Sequence, residues 1–248
     1  MDSPHDPPPP DSPLWDESRP VGHEHRDVTG GWLRPSVFGA MDGLVSNFAL
    51  IAGVAGGGVS PSTVVLAGLA GLAAGAFSMA AGEYTSVASQ SELAMAEIES
   101  ERRELVENPG GEAAELAQTY VRRGVDPELA REVARQIARN HEVALEVHAR
   151  EELGLTPQDL PSPLLAAGSS FASFAVGALL PVLPYLLGAT SLIPALIVSL
   201  IGLFAAGAVV ARVTARSWWY SGTRQLLLGA AAAALTYLVG ALVGTGVG

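Results

Sequence analysis

Four glutamates stand in two pairs on either side of an Asn-Pro-Gly-Gly break: Glu101 with Glu104, and Glu112 with Glu115. Residues three apart on a helix have Cβ atoms about 5 to 6 Å apart, so each pair brings two carboxylates together. The break can fold one pair toward the other. Four gathered carboxylates repel each other and favour a bound cation. By spacing alone the commoner explanation is a solvated acidic face paired with Arg102 and Arg103.

Two further carboxylates, Asp42 and Glu83, occur in long apolar runs. A charged group at membrane depth costs at least about 2.5 to 3.5 kcal/mol and usually marks an ion path. Met79 lies four residues before Glu83, so the two share a helix face. A thioether can bind a transition metal, although apolar packing is the commoner role of a lone methionine. Asp42 has the alternative of lying at a helix end and reaching the membrane surface.

The composition indicates which elements carry these residues. The 248-residue chain is 49% hydrophobic, 16% charged and free of cysteine, with a mean hydropathy of +0.32. This profile is typical of membrane proteins, and the lack of cysteine excludes disulfides and thiolate metal sites. A formal net charge of -11 argues against a nucleic-acid partner, which needs a basic surface.

Charge-poor runs predict five transmembrane helices, since about 20 apolar residues cross a bilayer core of about 30 Å. Residues 37–59 and 60–82 give helices 1 and 2, and 160–211 is long enough for helices 3 and 4 with a bend near 188–191. The run from 225 to 248 gives helix 5. The fold class is therefore an all-α integral membrane protein.

Four segments follow from these runs. Residues 1–35 are predicted to be a disordered, acidic, Pro-rich cytoplasmic tail, whose His-Glu-His stretch is an exposed linker or a weak metal site. Residues 36–85 hold helices 1 and 2, and 161–248 hold helices 3 to 5. Between them, residues 86–160 form a cytoplasmic acidic helical domain with sixteen acidic residues and eight arginines.

The basic residues predict the orientation. All fourteen are arginines, and five spans place every one on the same side of the membrane. The positive-inside bias therefore puts the N-terminus and 86–160 in the cytoplasm and the C-terminus outside. The lysine-free, Ala/Arg-rich composition and the absence of an organelle signal favour a bacterial plasma membrane.

Three helices are predicted for segment 86–160 before its closing stretch HEVALEVHAREELGL. Helix 2 meets no helix breaker before Glu107 and should continue out of the membrane to that residue. A second helix should start after Gly111 and stop at Gly124. A third begins with Asp126 as N-cap and Pro127 at the first position, and its predicted apolar face is formed by Leu129, Val133 and Ile137.

Four motifs in this order resemble the vacuolar iron transporter (VIT) family: MDGLVSNFALIAGVAGG, AGAFSMAAGEYTSVASQSE, ERRELVENPGGEAAELA and AREELGL. The resemblance covers residue 35 to the C-terminus. It implies a homodimer of five-helix protomers in which a cytoplasmic domain captures Fe2+ and Mn2+. The ions then leave the cytosol in exchange for protons, and no resident cofactor or enzymatic activity is expected.

The resemblance also implies a role for each candidate residue. Asp42 and Met79 match the family's pore aspartate and methionine, and Glu83 lies in its GEY motif near the inner mouth. Metal-binding positions of the domain match five glutamates: Glu101, Glu104, Glu112, Glu115 and Glu152. His148 and Ala149 stand where eukaryotic iron transporters carry a Met-Met pair, which puts the metal preference in doubt.

The ligand chemistry agrees with that resemblance. Carboxylates suit Mg2+, Mn2+ and Fe2+, and one methionine favours a transition metal. His148 lies four residues before Glu152, so the two side chains could bind one ion together. A carboxylate at membrane depth can hold a proton when metal is absent and release it when metal binds.

Two other classes of function are a metal sensor or buffer, which stays open, and a di-iron oxidase, which is disfavoured. A membrane-anchored metal sensor or buffer would bind through the acidic domain and transport nothing, but it would have no use for pore ligands. A di-iron oxidase of the helical-bundle type needs Glu-x-x-His repeats, and the sequence has none.

Overall fold

A computed structural model describes residues 31–155, 160–214 and 216–247. In this part of the chain all regular structure is α-helical. The eight helices are α1 (Leu33–Gly56), α2 (Pro61–Glu107), α3 (Pro109–Arg122), α4 (Pro127–Ile137), α5 (His141–Glu151), α6 (Pro163–Leu186), α7 (Leu192–Thr214) and α8 (Trp218–Val247). Most of the predicted N-terminal tail, including its His-Glu-His stretch, lies outside the described residues.

Five helices are long and apolar enough to cross a membrane, as the sequence predicts: α1, α2, α6, α7 and α8. Their ends differ from the charge-poor runs by several residues. Helix α1 begins at Leu33 and ends at Gly56, and α8 begins at Trp218, before Arg224. The predicted bend near 188–191 is a turn in which Gly188 has φ +95°, a left-handed conformation that glycine adopts without strain.

Helix α1 packs most closely against α6. A Cβ atom on Gly39 would lie 2.5 Å from Ser173 Oγ, and one on Gly43 would overlap the backbone carbonyl of Phe174. These glycines therefore let two helix backbones approach each other closely. By spacing, these glycines and the pair Gly71 and Gly75 would let helices 1 and 2 pack closely, within the chain or across a dimer. Within the chain, Gly39 and Gly43 meet the third span, while Gly71 lies against Leu50 and Asn47 of α1. Spacing shows that a small-residue face exists without showing which helix meets it.

The buried core of the spans lies around α1. Phe48 packs with Leu203 of α7, while Ile51 packs with Val64 of α2 and Val182 of α6. Phe48 and Ile51 are fully buried. The spans thus hold α1 between several neighbours, which fixes the polar residues that it carries.

Helix α2 links the membrane to the acidic segment. Its 47 residues correspond to about 70 Å, more than twice the thickness of a bilayer core. Ser60 caps its N-terminus through Thr63 N, and it ends at Glu107, as predicted, with Asn108 as C-cap. Met79 and Glu101 therefore stand on one continuous helix.

Helices α3, α4 and α5 fold against the end of α2, and together they form a helical subdomain. Asn108 caps α3 through Gly111 N, so this helix starts at Pro109 rather than after Gly111. Proline is tolerated at the first helical position, where its missing N–H has no partner to lose. Asp126 caps α4 as predicted.

The predicted apolar face of α4 is largely exposed. Leu129 is 57% exposed and Val133 36% exposed, while Ala130 and Ala134 are buried against Leu116 and Ala117 of α3. The small alanines let α3 and α4 pack closely, so the contact face is the alanine stripe. The apolar pattern was wrong for Leu129 and Val133, whereas Ile137 packs against the buried clusters as predicted.

Candidate functional site

Three glutamates and one histidine of the helical subdomain converge on one point. Glu101 comes from α2, Glu112 from the first turn of α3, and His148 from α5, with Glu152 directly after that helix. His148 Nδ1 lies 3.0 Å from Glu101 Oε1, 3.0 Å from Glu152 Oε1 and 3.7 Å from Glu112 Oε2. One ligand atom from each of the four residues lies within 4.8 Å of the others. We refer to these residues as the inner cluster.

The inner cluster is mostly closed to solvent. Glu101 is 7% exposed, Glu112 6% and His148 2%, while the Glu152 side chain lies nearer the surface. Glu101 Oε1 is buried and makes no hydrogen bond to any described residue. Its 3.0 Å approach to His148 Nδ1 therefore lacks hydrogen-bond geometry. A buried carboxylate oxygen without a partner is costly, and a bound cation would relieve that cost.

Burial and the repulsion of neighbouring carboxylates raise the pKa values of two glutamates in the inner cluster, Glu101 and Glu152. Desolvation, together with the charges of Glu152, Glu112 and Glu104, raises the pKa of Glu101 to about 7. Desolvation also raises the pKa of Glu152, and the nearby charge of Glu115 acts in the same direction. A cation among these carboxylates would favour their ionised forms, so metal binding at this site would release protons.

Glu104 and Glu115 lie outside the inner cluster. Both are exposed, and they act on it through their charge. We refer to these two residues as the outer pair. Of the residues predicted in this segment, the fold therefore joins Glu101, Glu112, His148 and Glu152 and leaves Glu104 and Glu115 at the surface.

The neighbouring arginines face away from the inner cluster. Arg102 pairs with Glu99 and Glu142, the latter at 3.2 Å. Arg103 donates to the backbone carbonyl of Glu99. The exposure of the outer pair makes a solvated acidic face a better description of it than of the buried residues. The inner cluster has the donor set of a divalent metal site, three carboxylates and one imidazole.

A second group of polar residues lines a cavity among the spans. Asp42 of α1 and Met79 of α2 both line this space of about 290 Å³, although they come from different helices. Three further polar residues line the same cavity: Ser46, Asn47 and Ser78. We refer to this space as the membrane cavity. It offers a carboxylate, a thioether and neutral oxygens, a mixed set that suits a divalent transition metal.

Glu83 lines a different cavity. It lies with Arg34, Phe38 and Met41 where α1 begins. Met79 and Glu83 share a helix face by spacing, but only Met79 lines the membrane cavity. Glu83 therefore lies near one end of the expected ion path and not beside Asp42.

Asn47 is one of three polar residues of this cavity, with Ser46 and Ser78, that sequence reasoning missed. Its side chain is 2% exposed, and it donates from Nδ2 to the backbone carbonyls of Gly68 and Ala178. An amide in the middle of an apolar span was a visible signal, because such groups are rare unless they have a packing or functional role.

Comparison with known proteins identifies the family. The model of the VIT family matches residues 33–241. The chain belongs to the VIT family. A vacuolar iron transporter of Acanthamoeba castellanii is 42% identical over 231 residues, covering 89% of this chain and 83% of that protein. Vacuolar iron transporter 1 of Oryza sativa subsp. japonica is 32% identical over 219 residues, covering 87% of each chain. Vacuolar iron transporter 1 of Arabidopsis thaliana is 31% identical over 225 residues, covering 89% of this chain and 90% of that protein.

These VIT relatives contradict the expectation of a bacterial plasma membrane. They are named as vacuolar transporters and come from eukaryotes, including an amoeba, plants and Plasmodium. The expectation was wrong because it rested on an Ala/Arg-rich, lysine-free composition, which has no physical link to any particular membrane. Integration into a membrane is supported by the five apolar helices.

Proposed function

We propose that this chain carries divalent transition-metal ions across a membrane and is not an enzyme. The observation that carries this proposal is the membrane cavity, in which Asp42 and Met79 meet from two different spans. A carboxylate at that depth is costly unless it serves an ion or proton path. Membership of the VIT family and relatives named as iron transporters support the same function.

The helical subdomain captures metal before it enters the membrane cavity. Its inner cluster is buried, lacks a counter-ion from Arg102 or Arg103 and leaves one oxygen of Glu101 without a hydrogen-bond partner. The arginine distribution favours a cytoplasmic location for this subdomain and thus export from the cytosol. We therefore propose that segment 86–160 is a cytoplasmic metal-binding domain between the second and third spans.

Fe2+ and Mn2+ are the proposed cargo. Carboxylates and one imidazole suit both ions, and the thioether of Met79 disfavours Mg2+ and Ca2+. Ala149, the neighbour of His148, packs in the subdomain core with Ile98 and Leu105. Ala149 therefore contributes packing. Of the two residues that stand in place of the Met-Met pair, only His148 offers a metal ligand.

Proton exchange and a homodimer complete the proposal. Asp42 can hold a proton when no metal is bound and release it when metal arrives. Ser46 and Ser78 line the membrane cavity and are exposed on the single chain. Hydroxyls and a carboxylate facing lipid are unfavourable, so a second copy that covers this face would stabilise it.

The test is metal flux into sealed proteoliposomes that contain the purified full-length chain. Fe2+, Mn2+, Zn2+ and Ca2+ are each supplied with and without a pH gradient. We expect flux of Fe2+ and Mn2+, faster with the gradient, and little flux of Ca2+. Tight binding without flux would instead identify a membrane-anchored sensor or buffer, the function that the inner cluster alone would favour.

A further inference from the structure

The amide of Asn47 has a fixed orientation in the spans. Its Nδ2 lies 3.1 Å from the carbonyl oxygen of Gly68 on α2 and 2.6 Å from that of Ala178 on α6. Because both neighbours are acceptors, the NH2 group must face them and uses both of its hydrogens there. The side chain therefore joins three helices and cannot turn its oxygen toward those carbonyls.

The oxygen of the same amide has no partner. Asn47 Oδ1 is buried and accepts no hydrogen bond from any described residue. An unsatisfied buried acceptor costs about 1 to 3 kcal/mol, so its persistence calls for a reason. The residue lines the membrane cavity together with Asp42 and Met79.

Gly71 lies directly against this oxygen, where the lack of a side chain avoids a clash. A Cβ atom at Gly71 would lie 2.9 Å from Asn47 Oδ1 and would also meet the end of the Leu50 side chain. Gly71 lines the membrane cavity as well. The leucine end can rotate away, but the amide cannot, because two hydrogen bonds hold it.

The position of Asn47 along α1 places it beyond Asp42. Five residues separate the two, which corresponds to about 7 Å along the helix axis. Asp42 lies nearer the end of α1 that carries Arg34 and the cavity of Glu83. An ion that passes Asp42 and Met79 in the proposed direction would next reach the level of Asn47.

We infer that Asn47 Oδ1 is a neutral oxygen ligand for the transported cation, one step beyond Asp42 and Met79 in the membrane cavity. An amide oxygen binds divalent ions without the attraction of a full charge. Conduction needs ligands that admit an ion and then release it, and a neutral oxygen after a carboxylate meets both needs. This inference rests on the proposed transport function.

The test compares two variants with a matched control in proteoliposomes of the full-length protein, with Mn2+ and Cd2+ as probes. Gly71→Ala leaves Asn47 in the chain and places a methyl group against its oxygen. Asn47→Ala removes the oxygen itself. Gly82→Ala is the control, because it adds the same methyl group to the same helix where no atom lies within 4 Å.

We expect Gly71→Ala and Asn47→Ala to lower Mn2+ flux about tenfold and Cd2+ flux by less than about threefold, since the softer ion depends less on an oxygen ligand. The Mn2+ to Cd2+ flux ratio should fall, and Gly82→Ala should keep the wild-type ratio. A purely structural role for Asn47 would lower both fluxes equally, and that result would overturn the inference. Wild-type flux of Mn2+ in both variants would also overturn it.

A transport control separates this inference from the proposed function. If the wild-type chain moves no metal, or if Asp42→Ala moves it normally, the proposed function fails. If Asp42→Ala stops flux while Gly71→Ala preserves the Mn2+ to Cd2+ ratio, only the role of Asn47 fails. Gly71→Ala tests this point even where Asn47→Ala does not fold, because it leaves the Asn47 side chain itself in the chain.

Discussion

The inner cluster and the membrane cavity differ in the ligands that they offer to a cation. The inner cluster gathers three carboxylates around His148 within 4.8 Å. The membrane cavity contains one carboxylate, Asp42, together with a thioether and neutral oxygens. High negative charge favours tight binding, whereas few charges and neutral ligands favour release.

The surroundings of the two sites account for this difference. The inner cluster lies among helices that also carry exposed charged side chains, such as Arg102 and Glu142. Several carboxylates can be tolerated there, at the expense of a raised pKa for Glu101. Each charge placed among the spans would cost several kcal/mol, so a membrane path must use few. Metal capture and metal passage through the spans therefore require different numbers of charged ligands.

The largest expected effect is at the membrane cavity. Asp42→Ala should lower metal flux at least about a hundredfold, because it removes the only charged ligand that lines the cavity. Metal binding by the inner cluster should remain at the wild-type level. Proteoliposome flux and calorimetric Mn2+ titration of the detergent-solubilised chain measure the two quantities. Ser46→Ala, at the same cavity and without a charge change, should retain most of the flux.

An Asp42→Ala variant with wild-type flux would remove the distinction between the sites. The membrane cavity would then be a packing defect, and the ion path would lie elsewhere in the spans.

The second largest expected effect is on Mn2+ binding, and it distinguishes the inner cluster from the outer pair. Replacing Glu101 and Glu112 together by Gln should weaken Mn2+ binding about a hundredfold, since each lost charged ligand is worth more than 1 kcal/mol. Flux should fall at low metal and recover in part at saturating metal. The matched control replaces Glu104 and Glu115 by Gln, which removes the same charge three residues away and should weaken binding less than about fivefold.

Equal losses in the two double variants would show that charge alone, and not the buried geometry, attracts the metal. Calorimetry on the full-length chain distinguishes these outcomes directly.

A smaller effect concerns metal preference at His148. His148→Ala should weaken Mn2+ binding about tenfold by removing one ligand. His148→Met should raise the Fe2+ to Mn2+ affinity ratio several-fold, because a thioether is softer than an imidazole. Competition titrations under anaerobic conditions measure the ratio. An unchanged ratio in His148→Met would mean that this side chain packs beside the metal without binding it.

The smallest expected effect is on stability without metal. The pKa of Glu101 is raised to about 7 in the folded chain, above its ordinary value, so the folded state binds more protons than the unfolded state between these pKa values. Stability is therefore gained as pH falls through about 7 and is lost as pH rises through it. We expect the metal-free protein to melt a few degrees higher at pH 6 than at pH 8.

Glu101→Gln should remove most of this pH dependence, whereas Glu104→Gln should keep it. Thermal unfolding in a metal chelator measures both. Because protons compete with metal for the same carboxylate, Mn2+ affinity of the wild type should also fall from pH 8 to pH 6.

Much of the fold followed from local sequence. The five spans, the extension of α2 to Glu107 and the Asp126 cap of α4 each depend on residues within one or two helical turns. The exposure of Leu129 and Val133 on α4 was not predicted, because it depends on which helix lies opposite. The residues that unite in the inner cluster were all named, but spacing could not separate Glu101 and Glu112 from the outer pair.

The sequence by itself determined where apolar helices run, where charged residues concentrate and which residue types could bind a metal. These are properties of single residues and their near neighbours along the chain. The tertiary structure alone decided that Glu101, Glu112, His148 and Glu152 share one buried point, and that Asn47 keeps an unpaired oxygen in the membrane cavity. Such contacts join residues up to 131 positions apart, as in the bond from Asn47 to Ala178. Their existence depends on how whole helices pack, because an atom's burial and partners are set by every helix around it.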